Sequence, residues 1–484
     1  MGLVRKYKQL PQTLKASIWF VIALLFQKGI NVLTTPVFTR LMTHEEYGTF
    51  SLFNTWYNIF LVVCTFNLFG GIFNTIVHKN QDRKDEMTSS TMGFELVLTV
   101  VVFVGYLVFY LLGGNLQGLD FTLSLLVFAQ VLVNIPMSVW MARCKYEYQY
   151  RVCAAIIIIQ SFLVAAAGIL CVIFAEQKVL ARVVSNVVIL LVVSVVLCVV
   201  IAKQSPKLVS LKNWKYLFLL GAPLVIHYLA QDVMAQSDQL ILDYYHGTET
   251  VAVYALSHSL SWLFTILTTA INTTFVPWVY RRMDEKNFSG VRKISLLIIF
   301  GISFITLLVS LISPEVIRIF GGEGYEEGAK LIPILICNVV VIAGYDLFSN
   351  VAFYHSKTLV ASIVTLVSAG VNIALNFLFI PKYGMIAACF TTLASYLCMM
   401  FLHFIIMKYY MKKFGLTQMY RASLIWAIVI AFILLNLSVL FLLEYVLVRY
   451  LILGGLILAL TLVLVLTRKK WIPYLKGGNK DATN

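Results

Sequence analysis

Charged residues are scarce in this sequence. They make up 12% of its 484 residues, and acidic residues are the rarer kind, with 22 Asp and Glu against 37 Lys and Arg. An ordinary soluble domain carries about 25% charged residues. Because 60% of the chain is apolar, too little charge remains to cover a surface that faces water. The composition excludes a large soluble protein and indicates an integral membrane protein.

Features that accompany enzyme chemistry are also absent. The sequence has no Gly-x-x-x-x-Gly-Lys-Ser/Thr segment, which argues against ATP hydrolysis by this chain. Its eight cysteines are scattered, mostly within apolar runs, and no pair has metal-ligand spacing. All predicted loops are short, and no nucleophile–base pair stands out. We therefore expect no catalytic residues, no metal site and no cofactor, and a function carried out at membrane depth.

The positive charge that is present has a pattern. The net charge is +15, but the basic residues lie in alternate loops and in two tails, which argues against a nucleic-acid partner. Membrane proteins carry such loops on the cytoplasmic side, beside anionic headgroups of membrane lipid. We therefore expect both termini in the cytoplasm. The basic segments lie near residues 5–15, 79–84, 143–151, 203–215, 281–293, 408–413 and 468–470.

Apolar runs separated by polar loops fill the chain. A membrane-spanning helix needs about 20 apolar residues, so the sequence predicts an all-α integral membrane protein with about 14 transmembrane helices. The predicted spans are about residues 14–38, 47–76, 88–112, 119–141, 152–175, 179–202, 214–242, 250–280, 293–314, 328–354, 358–380, 384–410, 420–442 and 447–467.

An internal repeat organises these helices. Residues 46–52, at the start of the second helix, resemble residues 250–256, at the start of the eighth. Six helices per repeat predict two parallel repeats that form two lobes around a central cleft, although any chain of apolar helices is partly self-similar. The predicted division is an N-lobe of helices 1–6 at residues 1–202, a cytoplasmic linker at 203–213, a C-lobe of helices 7–12 at 214–411, and two extra helices with a basic cytoplasmic tail at 412–484.

Three segments carry a family resemblance. Residues 40–50 (RLMTHEEYGTF) resemble the turn between the first two helices of bacterial oligosaccharide-lipid flippases. Residues 372–388 resemble their eleventh-to-twelfth helix junction, and residues 320–325 followed by Ala329 resemble their ninth-to-tenth loop. These flippases belong to the multidrug, oligosaccharidyl-lipid and polysaccharide exporter superfamily. The motifs are mostly turns and packing elements, so they do not identify the cargo.

The resemblance implies a function in surface polysaccharide biosynthesis. A relative of these flippases would move undecaprenyl-diphosphate-linked oligosaccharide units from the inner to the outer leaflet of the bacterial cytoplasmic (inner) membrane, for O-antigen, capsule or a similar polymer. Its partners would be the lipid-linked oligosaccharide diphosphate, H⁺ or Na⁺, and polysaccharide polymerase machinery. Two alternatives stay open: a multidrug/cation antiporter on the same fold, and a membrane-embedded polymerase or acyltransferase.

Polar residues in the first helix are candidates for binding the diphosphate. Lys28 lies in mid-helix, with Asn31 and Thr35 on the same face, and an ammonium group forms charge-assisted hydrogen bonds to phosphate oxygens. Arg40 at the end of this helix is a further candidate. The alternatives are an ion pair between Lys28 and Glu95, and an Arg40 side chain that only reaches the membrane interface.

Acidic residues in the seventh helix are candidates for ion coupling. Asp232 would bind H⁺ or Na⁺ if its carboxylate faces a cavity, and Asp346 in the tenth helix is a second candidate. His227 and His258 titrate near neutral pH when solvated, although a lone histidine is more often a packing residue. Asp238 and Asp243 are expected to be structural. Stripes of hydroxyl and amide side chains, such as Ser257, Ser261, Thr265, Thr268 and Asn272, either line the cleft or bind helices together.

Overall fold

A computed structural model describes residues 12–70, 72–288, 290–355, 358–416 and 419–467. The described residues form α-helices, three short 3₁₀ turns and connecting loops, without a β-strand, so the predicted all-α class is confirmed. The helices are α1 (Gln12–Leu41), α2 (His44–Thr65), α3 (Ile72–Lys79), α4 (Lys84–Leu111), α5 (Phe121–Tyr146), α6 (Tyr150–Phe174), α7 (Lys178–Gln204), α8 (Leu211–His246), α9 (Thr248–Trp262), α10 (Thr265–Asp284), α11 (Val291–Leu311), α12 (Ser313–Phe320), α13 (Gly328–Leu335), α14 (Cys337–Tyr354), α15 (Thr358–Phe414), α16 (Ala422–Ser438) and α17 (Val446–Leu466).

Several predicted spans are interrupted. The predicted helix at 47–76 ends at Thr65, because Phe66 and Asn67 take left-handed backbone angles with φ of 52° and 48°. The span at 250–280 is divided into α9 and α10, and the span at 328–354 into α13 and α14. Apolar composition does not reveal such breaks, because an interrupted span and a straight one can contain the same residues.

Twelve helical segments of the described chain are long and apolar enough to cross a membrane. One of them is α15, which Gly384 divides in two through backbone angles of φ 57° and ψ −138°. The 22-residue helix α2 is not among the twelve. Counting α2 and both parts of α15 as crossings gives fourteen transmembrane helices. This number and the two parallel six-helix repeats stay predictions.

Side-chain contacts sort the loops into two ends of the molecule. At the first end, Lys84 lies 2.8 Å from Glu147, and Lys207 lies 3.4 Å from Glu86. We call it the basic end, because it joins the loops near 84, 147 and 207 that were expected on one side. The basic residues at 5–8 and 468–470, and Lys357, lie outside the described residues. The orientation of this end toward the cytoplasm therefore stays a prediction.

The other end, here the opposite end, gathers the segments near residues 41, 178, 248, 320 and 380. The Lys178 ammonium donates to the Leu41 carbonyl at 2.5 Å, and His246 bonds to the Ile380 carbonyl at 2.7 Å. Arg449, only 2% exposed, holds α17 against the rest of the molecule by two contacts of 2.9 Å to the carboxylate of Glu315 in α12. The hydrogen bonds from Arg449 lower the pKa of Glu315 below its usual value.

Candidate functional site

The N-terminal half (α1–α7) and the C-terminal half (α8–α15) touch at the opposite end. The Gln239 side-chain oxygen of α8 accepts hydrogen bonds from Ser51 at 2.8 Å and Thr55 at 3.3 Å. Gly48 of α2 packs so closely on the Thr248 backbone of α9 that an added Cβ would overlap it. Backbones that approach this closely need a residue without a side chain. This end of the interface between the halves is therefore closed.

Two residues at the end of α1 strengthen this closure. The Arg40 guanidinium donates to the Ile319 carbonyl at 2.9 Å, and the Thr39 hydroxyl donates to the Phe320 carbonyl at 2.6 Å. Both carbonyls belong to the last turn of α12, where helix carbonyls lack partners within the helix. Arg40, a predicted cargo contact, therefore joins the two halves in this conformation.

At the basic end the halves meet through the start of α8. The Asn213 amide donates to the Ser90 hydroxyl at 3.0 Å, and the Trp214 indole donates to the Ser90 carbonyl at 3.1 Å. Beside this contact, Glu147 accepts hydrogen bonds from Lys84 at 2.8 Å and Arg143 at 2.7 Å. Burial raises the pKa of Glu147, but these hydrogen bonds outweigh it and hold the pKa below its usual value.

Away from these contacts, α10 exposes a polar face. Its principal contacts are to α11 and α14 of its own half. Its exposed residues are all small or polar, in contrast to α4, which exposes a row of valines. A lipid-facing surface needs large apolar side chains, so this face of α10 fits the wall of a wet cleft. The exposed residues of α10 include Thr269, Ala270, Thr273, Thr274 and Pro277.

The predicted stripe of hydroxyl and amide residues, which runs from α9 into α10, has a different role. Ser257, Ser261 and Thr268 are buried, and Asn272 donates to Asp346 at 2.6 Å. These side chains bind helices together, which is the second of the two alternatives for the stripe. The exposed threonines of α10 were missed because they lie on the neighbouring face of the same helix.

In α1, Lys28 lies on an exposed face with Asn31, and Thr35 is partly buried on that face. At 3.6 residues per turn these three positions fall within about 60° of one another. The apolar exposed residues Ile22 and Leu33 point roughly the opposite way. Between Lys28 and Thr35 the exposed surface of α1 therefore has a polar side with Lys28 and an apolar side with Leu33, whereas one turn before Lys28 the exposed Leu24 lies on the Lys28 face.

Lys28 has no hydrogen bond or ion pair to any other described residue. Glu95, its alternative partner, is fully buried, and its carboxylate has no hydrogen-bond partner. The alternative ion pair is absent from this structure. Lys28 lies about 20 Å along the helix from Leu41, so its charge is at membrane depth. Such a group needs water or an anion beside it.

The predicted ion-coupling residues differ in whether they have hydrogen-bond partners. Asp232 is half-buried and has no hydrogen bond within the described chain, and the Nδ1 atom of His227 is buried without a partner. Asp346 instead accepts a hydrogen bond from Asn272. His258, predicted to be a packing residue, is buried between the rings of Tyr254 and Trp262.

A buried polar cluster around Asp238 exceeds what the sequence suggested. Asp238 is fully buried, and one carboxylate oxygen accepts hydrogen bonds from Tyr254 and Thr392. Nearby, Asn372 accepts from Ser237 at 3.0 Å and from Asn376 at 3.2 Å. The cluster ties α8 to α9 and α15, as expected of a structural aspartate. The sequence marked Asp238 as structural but did not pair it with Tyr254 or Thr392, which belong to other helices.

The polar groups on α1 and on α10 are suited to binding an anion rather than to bond chemistry, and that they face one cleft stays a prediction. A lysine without a partner and exposed hydroxyl and amide groups lie at membrane depth, while the halves touch at the opposite end. Among the described residues, no three His, Cys, Asp or Glu side chains group as a metal site.

Known proteins with a similar fold are transporters. The fold resembles the lipid II flippase MurJ in an inward closed conformation, with a TM-score of 0.65 and 16% identity, over 93% of this chain and 99% of that one. It also resembles a MOP superfamily transporter from Pyrococcus furiosus, with a TM-score of 0.59 and 13% identity, over 84% and 96% of the two chains. The flippase-type fold expected from the sequence is confirmed.

Relatives by sequence point the same way. The chain is 21% identical to Lsg locus putative protein 1 of Haemophilus influenzae, over 77% of this chain and 94% of that protein. It is also 21% identical to the probable low-salt glycan biosynthesis flippase Agl15 of Haloferax volcanii, over 86% and 87% of the two chains. A second family model, MatE, matches residues 223–378. Because the model described as "Polysaccharide biosynthesis protein" matches residues 13–283, more than half of the sequence, the chain belongs to that family of membrane proteins.

Proposed function

We propose that this protein is a flippase that moves undecaprenyl-diphosphate-linked oligosaccharide units from the inner to the outer leaflet of the bacterial cytoplasmic membrane. The observation that carries the proposal is Lys28, an exposed ammonium group at membrane depth without a partner in the described chain. A cleft with this charge suits an anionic headgroup. The family match and the glycan flippase among the relatives support the choice of cargo.

The proposed cleft is polar because the proposed cargo carries a charged diphosphate. An isolated charge in hydrocarbon carries a penalty of tens of kcal/mol, so a diphosphate does not cross the bilayer unaided. In the proposed mechanism, Lys28 and Asn31 hold the diphosphate while the exposed face of α10 solvates the sugars and the prenyl tail stays in lipid. The halves, as two lobes, then rock between openings at the basic and opposite ends.

The proposed direction follows from the membrane potential. With the basic end and both termini in the cytoplasm, an outgoing anion gains about 2.3 kcal/mol per charge for each 100 mV. Arg40 would meet the diphosphate last. Asp232 and Asp346, with His227, are proposed to bind H⁺ or Na⁺ and so couple an ion gradient to the movement of the halves.

A reconstituted system tests the proposal. Vesicles containing the protein would receive a fluorescent undecaprenyl-diphosphate disaccharide, and a membrane-impermeant quencher would report the fraction exposed outside. We expect quenching of the inner-leaflet fraction in protein vesicles and not in protein-free ones. Equal protection of the probe in both would refute the proposal.

A second function has one observation in its favour. The MatE match covers part of the C-terminal half, and Asp232 is an acidic group of the kind that binds cationic drugs. A multidrug/cation antiporter would accumulate ethidium in the same vesicles when a proton gradient is applied. Ethidium transport without lipid flipping would favour that function. Flipping without ethidium transport would exclude it.

A further inference from the structure

Glu95 is a carboxyl group that the proposed mechanism does not use. It lies in the middle of α4, its side chain is 0% exposed, and neither carboxylate oxygen has a hydrogen-bond partner. Its backbone carbonyl accepts a hydrogen bond from the Thr99 hydroxyl at 2.7 Å, one helical turn further along α4. A buried carboxyl without any donor is rare, because buried polar groups are almost always satisfied.

The surroundings of Glu95 are apolar. Met92 and Leu96, which flank it on α4, belong to a cluster with Cys64 of α2 and Val131 of α5. Tyr57 of α2 also packs against this cluster. Most charged groups on the elements packed against α4 lie toward the ends of those elements, Asp232 lies near the middle of α8, and none of them pairs with Glu95. Besides Tyr57 and Cys64, the titratable and charged groups of these elements are His44, Glu45, Glu46 and Tyr47 on α2, His78 and Lys79 on α3, Asp82 and Arg83 in the turn before α4, Arg143, Cys144, Lys145 and Tyr146 on α5, Lys178, Arg182, Cys198 and Lys203 on α7, and Lys212, Lys215, Tyr216, His227, Tyr228, Asp232, Asp238, Asp243, Tyr244, Tyr245 and His246 on α8.

We propose that Glu95 is a proton-binding site, occupied in this conformation and emptied when the two halves rearrange. A carboxylate taken out of water with no cation and no donor loses its hydration without compensation, so such a group takes up a proton instead. The neutral acid removes the charge from the apolar cluster. The ligand of the site is thus a single proton.

Two contacts connect Glu95 to the movement of the halves. On one side, Ser90 bonds to Asn213, and Gly93 packs on the Leu208 carbonyl, leaving no room for a Cβ. These contacts join α4 to the start of α8 one turn before Glu95. A movement of α8 against the N-terminal half therefore acts directly on this turn of α4.

On the other side, α2 has two roles. Its first half carries Ser51 and Thr55, which bind Gln239 of the C-terminal half. Its second half carries Cys64, which packs in one cluster with Met92, a neighbour of Glu95 on α4. Opening of the opposite end must break the bonds to Gln239, and a shift of α2 then changes the access of water to Glu95. This link to opening rests on the alternating access of the proposed function, whereas the presence of the proton does not.

Infrared spectroscopy tests the proton directly. A protonated carboxylic acid has a C=O stretching band that a carboxylate lacks, and the difference between wild type and Glu95→Gln isolates the band of Glu95. We expect this band at neutral pH, and isotopically labelled glutamate should shift it without any substitution. Absence of the band in both experiments, or carboxylate bands in its place, would overturn the proposal.

The release step needs a second measurement. Spin labels at the ends of α2 and α9 would report their separation at acidic and alkaline pH in nanodiscs. We expect alkaline pH to increase the population with separated ends in wild type and in the control Glu45→Gln, an exposed glutamate at the start of α2. Glu95→Gln should stay closed at both. An unchanged pH response in Glu95→Gln would refute release, even if the lipid-flipping assay had succeeded.

Discussion

Replacement of Lys28 by alanine should weaken cargo binding without harm to the fold. The side chain is exposed and makes no hydrogen bond or ion pair with the rest of the described chain. Exposed substitutions away from specific contacts change stability by about 0.5 kcal/mol or less. The thermal unfolding midpoint of Lys28→Ala in detergent should therefore match that of wild type.

The expected loss of affinity follows from the bond that is removed. A hydrogen bond to a charged group contributes about 1.5–3 kcal/mol, which corresponds to about 10- to 150-fold weaker binding at 1.4 kcal/mol per factor of ten. Lys28→Arg keeps the charge and should retain most of the affinity. Leu33→Ala is the matched control, because Leu33 is 73% exposed on the apolar side of the same helix.

Two assays separate binding from folding. Titration of purified protein with a short-chain polyprenyl diphosphate gives the dissociation constant, and surface polymer in a strain that depends on this gene gives function. Lys28→Ala should lose both while reaching the membrane at wild-type levels. Wild-type affinity and export in Lys28→Ala would remove this residue from the mechanism, and an equal loss in Leu33→Ala would point to a general effect on α1.

Three further predictions concern the contacts that hold this conformation. Gly48→Leu should force α2 and α9 apart, because a side chain there overlaps the Thr248 backbone. Cysteines placed at the opposite end should then react faster with a water-soluble maleimide. Gly29→Ala is the control, because a Cβ at Gly29 meets no other atom within 4 Å. Glu147→Gln should lower the free energy of unfolding by about 1–3 kcal/mol at neutral pH. The folded pKa of Glu147 is below its unfolded value, so its contribution to stability is present above an unfolded pKa of about 4.3 and is lost as the pH falls through the folded pKa. The variant should therefore lose less stability than wild type on acidification. Parallel curves of stability against pH for the two proteins would contradict this. Arg449→Met should lower the free energy of unfolding by about 3 kcal/mol, the lower end for a buried ion pair, because its partner Glu315 keeps some contact with water. Proteolysis of the α16–α17 loop should accelerate. An unchanged rate would show that other contacts hold α17.

Some properties of this protein follow from its amino-acid composition and from the helical periodicity of its polar and apolar residues. Apolar runs of about 20 residues require membrane-spanning helices, and the segments between them were found at two ends of the molecule, as the basic loops near 84, 147 and 207 show. The face that Lys28 shares with Asn31 also follows from the helical period. These features are local, so a single stretch of chain determines each of them.

Only the tertiary structure decided which polar groups find partners. Gln239 meets Ser51 across 188 positions of the chain, and Asn272 meets Asp346 across 74, whereas Lys28 and Glu95 remain apart. In a membrane, helix association gains little from apolar contact and depends on close packing and hydrogen bonds between helices. Those interactions depend on how the helices are placed against one another, which the hydropathy of each helix leaves open.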